Sequence, residues 1–193
     1  VWAALNQPLG SEMLTNGRFA TGLITPWNVE FHSPATGSAV IETGTGPGGL
    51  NCVRINVTTA GSAGWHVQLH QPGLSVTAGA PYTITFYARA DTNRVVDVSL
   101  MMAQSPWSNL GFSAQINLTN TWQLFTFTFS PHTTYTNARI NFGGMGLATG
   151  ASYYFTDISL RQGGLIGIKP GENLYTTGID NFKNQGDVAR TTN

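Results

Sequence analysis

Along most of this chain apolar and polar residues alternate with a period of two, in runs rich in Val, Ile, Thr, Phe and Tyr that recur about every 10 to 15 residues. Gly, Pro, Asn or Asp separate the runs, and helical periodicity is hard to find. The pattern predicts strands over Ala39–Glu42, Cys52–Thr58, His66–Gln71, Tyr82–Ala90, Val95–Ala103, Gly111–Leu118, Gln123–Phe129, Ala138–Phe142 and Tyr153–Arg161. Nine short strands joined by turns imply an all-β fold of two packed antiparallel sheets.

Residues two apart on a strand share a face, so each run also predicts its inner and outer side chains. In Tyr82–Arg89 the inward set is Tyr82, Ile84, Phe86 and Ala88; Thr83, Thr85, Tyr87 and Arg89 face out. Phe125, Phe127 and Phe129 point in from the seventh run, and Ile140 and Phe142 from the eighth, which sends Arg139 and Asn141 to the other face. In the third run Val67 and Leu69 point in, and His66, Gln68 and His70 point out.

The rhythm stops at Gly163-Gly164-Leu165-Ile166-Gly167-Ile168-Lys169-Pro170-Gly171, and the polar stretch beyond it shows no sustained alternation. The chain therefore divides into an N-terminal extension (1–10), one sandwich (11–162) and a linker or tail (163–193) leading to a neighbouring module. A chain of 193 residues is enough for one domain with a full core but not for two and a linker.

Composition narrows the partners. Charged residues are 9% of the chain, so its polar surface is made of hydroxyls and amides, which suits a neutral ligand. Nine basic and nine acidic residues cancel, leaving no basic field for nucleic acid or an anionic membrane. No apolar run approaches the roughly 20 residues of a membrane span. Cys52 is the one cysteine and reads as a small apolar strand residue, which leaves the compartment open. No signal-sequence pattern opens the chain; a signal already removed and a piece cut from a longer protein are both compatible with a start at Val1.

Three segments carry a resemblance. They are Met13-Leu14-Thr15-Asn16-Gly17-Arg18-Phe19 with Trp27; then Pro81–Ala90 with Asn120-Thr121-Trp122-Gln123-Leu124-Phe125-Thr126-Phe127; then Tyr153-Tyr154-Phe155-Thr156-Asp157-Ile158-Ser159-Leu160. In this order and spacing, across about residues 11 to 162, the chain resembles the family 4, 9 and 22 carbohydrate-binding modules. The resemblance implies a jelly-roll sandwich whose concave sheet holds an extended β-glucan or xylan type chain. It also implies a secreted, non-catalytic module with no required cofactor, covalently linked to a glycoside hydrolase that it targets to its substrate.

Sugar rings present apolar C–H faces and in-plane hydroxyls, so a glycan cleft needs stacking aromatics beside hydrogen-bonding side chains. Trp65, after Gly61-Ser62-Ala63-Gly64, and Trp107, in Gln104-Ser105-Pro106-Trp107-Ser108-Asn109, match the resembled family's stacking positions. A core or rim tryptophan is the alternative for Trp65. Gln68 stands where that family often has a carboxylate, and an amide both donates and accepts. Asn141 matches another polar cleft position by its outward parity. Tyr87, Arg89, Gln104 and Gln115 are further candidates for the floor, with ordinary surface residues as the alternative. His66 and His70, about 13 Å apart on an ideal strand, are too far apart to share a metal ion and read as cleft or surface histidines.

The resemblance further implies a structural calcium, held by Asp157 and by the backbone carbonyls of Arg18 and Asn51. Ala20 and Gly48 stand where two more carboxylates are expected, so less charge is available to hold a hard cation. Two other classes remain as alternatives: a jelly-roll glycosidase, and a structural or adhesion sandwich without glycan binding. A glycosidase needs a facing pair of carboxyl groups. Of the nine carboxylates, only Glu30, Glu42 and Asp97 lie outside presumed loops, tail and the Asp157 position, and no Gly-x-Ser-x-Gly elbow occurs.

Overall fold

A computed structural model describes residues 6–165. It contains twelve strands: β1 (Asn6–Gln7), β2 (Asn28–Phe31), β3 (Thr36–Glu42), β4 (Cys52–Thr59), β5 (Val67–Val76), β6 (Tyr82–Ala90), β7 (Arg94–Met102), β8 (Asn109–Leu118), β9 (Gln123–Phe129), β10 (Tyr135–Gly143), β11 (Ser152–Gln162) and β12 (Gly164–Leu165). The front sheet has the order β2-β5-β10-β7-β8 and the back sheet β3-β4-β11-β6-β9, both antiparallel, while β1 and β12 form a separate ribbon. From β4 to β7 and from β8 to β11 each strand changes sheet, so apart from β3–β4 and β7–β8 the neighbours in a sheet are not consecutive in sequence. The architecture is the expected jelly-roll sandwich.

All nine predicted strands are present. β2 is additional: with four residues between two turns, it is too short for alternation to register. β5 and β10 run past their apolar cores, to Val76 and back to Tyr135, because their hydrogen-bonded pairing continues through two register shifts. His66 leaves the predicted strand for a 3-10 turn, Gly64–His66. Most of the predicted tail lies outside the described residues; its first residues pair Gly164 with Gln7 and Leu165 with Asn6.

Parity fixes the core. Val67, Leu69, Val96, Val98, Leu100, Ile140 and Phe142 from the front sheet meet Val53, Ile55, Ile84, Phe86, Phe155 and Leu160 from the back. Phe142 is fully buried, edge-on to Phe86 at 4.9 Å between ring centroids and tilted against Phe155 at 4.9 Å. Trp27 closes the same cluster, 6.3 Å from both Phe19 and Phe142.

The Met13–Phe19 segment straps one edge of the sandwich. Glu12 Oε1 accepts from the Leu160 backbone N–H at 2.9 Å, and Ser159 donates its hydroxyl to Glu12 Oε2 at 2.5 Å. The Gln71 side chain bonds both backbone groups of Thr15, at 2.7 and 2.8 Å, and Trp27 Nε1 donates to the Thr15 carbonyl at 3.1 Å. Gly17 must be glycine, because a Cβ there would collide with the Ile158 carbonyl oxygen. Much of the sequence signature in this segment is therefore structural.

Phe142→Ala removes the ring where the two sheets meet and is expected to cost about 3–5 kcal/mol. Urea unfolding checks this as a fall in midpoint at unchanged slope; a loss below about 1 kcal/mol would show that the seam repacks freely.

Candidate functional site

Residues facing inward from the front sheet leave their sequence neighbours on its outer face. Strand pairing sets these in rows. One crosses from His70 through Asn141 and Ser99 to Ser113; the next crosses from Glu30 through Gln68, Gly143 and Asp97 to Gln115. Trp65 precedes β5 at the end of the sheet where β10 finishes, and Trp107 lies in the turn between β7 and β8 at the opposite end. From Gly143 back to Ala138 is five residues of β10, about 16 Å along the strand direction. The two tryptophans thus stand towards opposite ends of one polar sheet face, as candidate walls of a binding cleft.

Both rings are accessible, Trp65 at 57% and Trp107 at 49% of full exposure. Trp65 is braced by His66, edge-on at 4.2 Å, and by His32 at 5.4 Å. Its turn packs on a second 3-10 turn, Met145–Leu147, where Gly146 passes so close to the Ala63 carbonyl that a Cβ would clash. Trp107 has φ +61°, a left-handed conformation uncommon for an aromatic residue, with its N–H on the Gln104 carbonyl at 2.9 Å. Strain of this kind persists where the surroundings impose it, and it clusters at binding sites.

Between the walls the outward residues are polar yet covered. Gln68, His70, Arg139 and Asn141 are all buried. Arg139 Nη2 donates to Gln68 Oε1 at 3.0 Å, and the guanidinium carbon lies 5.0 Å from the centre of the Trp107 ring. Arg139 therefore connects floor to wall. Arg139 Nε, Asn141 Oδ1 and His70 Nδ1 have no hydrogen-bond partner among the described residues, and buried polar atoms of this kind are normally satisfied by water or ligand.

One carboxylate and two histidines cluster at the Trp65 end. His32 Nε2 lies 3.0 Å from Glu30 Oε2, and His70 Nε2 lies 3.1 Å from Glu30 Oε1 but out of line for a hydrogen bond. Burial pulls the His70 pKa down, helped by the positive charge of Arg139, and the contact with Glu30 offsets this only in part. Burial alone would raise Glu30, but His32, His70 and Arg139 together hold its pKa below the usual value. Burial likewise lowers Arg139, with Glu30 opposing.

Of the residues predicted from sequence, Trp65, Trp107, Gln68, Asn141, Gln104 and Gln115 share this face. Gln104 is in the Trp107 loop, and Gln115 Nε2 donates to Asp97 Oδ1 at 3.1 Å. Tyr87 and Arg89 do not belong to it. They face out from β6 in the back sheet, where Arg89 lies 3.6 Å from the centre of the Tyr154 ring and 5.3 Å from that of Trp122. Outward parity was right for both, but parity does not say which sheet a strand joins. Arg139, Glu30 and His32 are the residues the sequence reading missed. Arg139 was already outward by parity and two residues from Asn141; β2, which carries Glu30, had no sequence signal. His66 and His70 are buried, contrary to a surface reading.

The residues considered for calcium are engaged otherwise. Arg18 Nε donates to Asp157 Oδ1 at 2.6 Å, and the Asn51 carbonyl accepts the Thr156 hydroxyl at 2.5 Å. Among the described residues no three His, Cys, Asp or Glu side chains converge as metal ligands. The Asp157 carboxylate is thus paired with Arg18, which leaves less free negative charge at this edge for a hard cation. An open pocket of about 580 Å³ beside it, lined by Glu12, Arg18, Thr85, Asp157 and Arg161, is on the strap side of the molecule, and its charges are paired with one another.

Comparison with known proteins bears on this geometry. The sequence model of a carbohydrate binding domain family matches residues 11–145. A solved family 4 module, CBM4, shares 28% identity over 77% of this chain and 98% of its own, with a TM-score of 0.64. The N-terminal cellulose-binding domain of Cellulomonas fimi β-1,4-glucanase C has 20% identity, coverage of 82% and 100%, and a TM-score of 0.56. The CBM22-1 xylan-binding domain of Paenibacillus barcinonensis Xyn10C has 11% identity, coverage of 81% and 97%, and a TM-score of 0.54. The last two show the shared fold alone. No match was found among curated proteins.

Two outcomes are expected. Because the folded-state pKa of His70 is depressed, the unfolded chain takes up that proton first. Its contribution to stability is complete above the ordinary histidine pKa of about 6.5 and is lost as pH falls below it. Glu30, also depressed, adds a further loss at lower pH, through the carboxylate range. Urea unfolding at pH 7 and pH 5 should show the fall, and His70→Gln should flatten that part of it; a wild-type stability unchanged between these pH values would contradict the assignment. Second, millimolar calcium or EDTA should leave the thermal midpoint unchanged, whereas an ion present at about 100 times its Kd would raise it by several degrees.

Proposed function

This chain belongs to the 4/9 family of carbohydrate-binding domains, and from that membership we propose that the cleft on its front sheet binds a polysaccharide chain of the β-glucan or xylan type without cleaving it. The observation that carries the reading is the pair of exposed tryptophans at opposite walls of a buried polar floor. Their ring faces stack on the apolar faces of pyranose units, while the Gln68 and Asn141 amides meet the ring hydroxyls.

A non-catalytic role fits the spacing of the cleft carboxylates. Glu30 and Asp97 lie in one row but three strand spacings apart, about 14 Å at roughly 4.8 Å per spacing. Glycosidase pairs sit about 5–5.5 Å apart when retaining and about 6.5–9.5 Å apart when inverting. The module then acts in a secreted, extracellular glycoside hydrolase, where it keeps the linked enzyme at its polymer and raises effective concentration rather than rate per encounter.

Affinity electrophoresis in gels containing xylan, mixed-linkage β-glucan, laminarin or mannan tests the reading. At least one polymer should retard the wild type without new reducing ends appearing, and Trp65→Ala and Trp107→Ala should each weaken binding roughly tenfold or more. If no polymer retards the protein, or both variants bind as the wild type does, the proposal fails.

A further inference from the structure

The described residues include six arginines, and four are paired with carboxylates: Arg18 with Asp157, Arg54 with Glu42, Arg94 with Asp91 and Arg161 with Glu12. Arg89 lies on the back sheet, stacked on Tyr154. Arg139 is the exception in both burial and pairing: it is only 4% exposed, lies under the cleft, and has no carboxylate within 4.0 Å among the described residues. Removing an unpaired cation from water is costly, and buried charges are as a rule paired.

The other charges on this face do not pair with it directly: Glu30 opposes the effect of burial on Arg139, but from beyond 4.0 Å. Glu30 is held by His32 and His70, Asp97 accepts from Gln115, and both stand in the row at the Trp65 end. The Arg139 guanidinium lies beneath Trp107, with Nη2 on Gln68 and Nε without a partner. The carboxylates of this face thus stand in the row of Glu30 and Asp97, and the Arg139 guanidinium lies between Gln68 of that row and the Trp107 ring.

We propose that the glycan bound here carries carboxylates, as uronic acid units or side groups, and that Arg139 seats one of them beneath Trp107. The inference rests on the glycan-binding reading above and narrows its ligand class. A guanidinium offers a carboxylate two parallel N–H donors, and in a site screened from water that contact is strong. The sugar bearing the carboxylate is then placed to stack on Trp107. Seating it requires the loop over the guanidinium to lift, and residues 104–109 are all exposed, so this is where opening costs least. The scarcity of charged residues suggested a neutral ligand; one buried cation without a carboxylate beside it reverses that locally.

The test sets the intact 193-residue chain against glucuronoxylan, alginate and polygalacturonate, each beside its carboxyl-reduced form, by affinity electrophoresis and titration calorimetry. At least one acidic polymer should bind about tenfold or more tighter than its reduced counterpart, with the difference shrinking as salt rises. Arg139→Gln should lose that preference and Arg139→Lys keep part of it. The paired polymers give the same comparison on the wild type if a variant fails to fold. Equal binding of native and reduced polymers overturns this inference and leaves glycan binding standing. Retardation by no polymer, neutral or acidic, overturns both.

Discussion

One face of a five-stranded sheet has to be buried against its partner sheet, and because side chains alternate, that burial decides the other face as well. Holding Val67, Leu69, Ile140, Phe142, Val98 and Leu100 inside commits Gln68, Arg139, Asn141, Ser99 and His70 to the outside of the same strands. A one-residue slip in register would turn amides and a guanidinium into the aromatic core and phenyl rings into the cleft. The hydrophobic seam around Phe142 is thus what holds the polar floor in register, although it touches none of the candidate ligand groups.

The floor has its own internal logic. Arg139 is bound to Gln68 and lies under Trp107, so one side chain couples the middle strands to the Trp107 loop. At the other end Glu30 holds His32, and His32 and His66 support the Trp65 ring. Each tryptophan is accessible because a buried polar group anchors its surroundings, and preorganised rings of this kind lose little entropy when a ligand arrives. The same burial leaves Arg139 Nε and Asn141 Oδ1 without partners among the described residues, a cost that a hydroxylated or carboxylated ligand can relieve.

Strand alternation was legible from the chain itself because it is a local property: β6, β9 and β10 show their inner and outer residues without reference to anything distant. The outward placement of Gln68, Asn141 and Arg139 followed directly. What failed were the assignments that depend on which strands are neighbours. Tyr87 and Arg89 have the right parity on the wrong sheet, and β2, which supplies Glu30, is too short to show a period. The pairing of Asp157 with the guanidinium of Arg18, 139 residues away in sequence, was equally invisible to a local pattern.

The sequence by itself determined an all-β sandwich, the inner and outer residues of most strands, and two tryptophans in turns beside polar strands. Tertiary structure decided that those tryptophans share one face of the front sheet, that the outward polar residues between them are covered rather than solvated, and that Arg139 among them has no carboxylate within 4.0 Å among the described residues. The physical reason is that alternation is written into neighbouring residues, whereas sheet order, loop approach and the sharing of charge arise from backbone pairing between segments far apart in the chain.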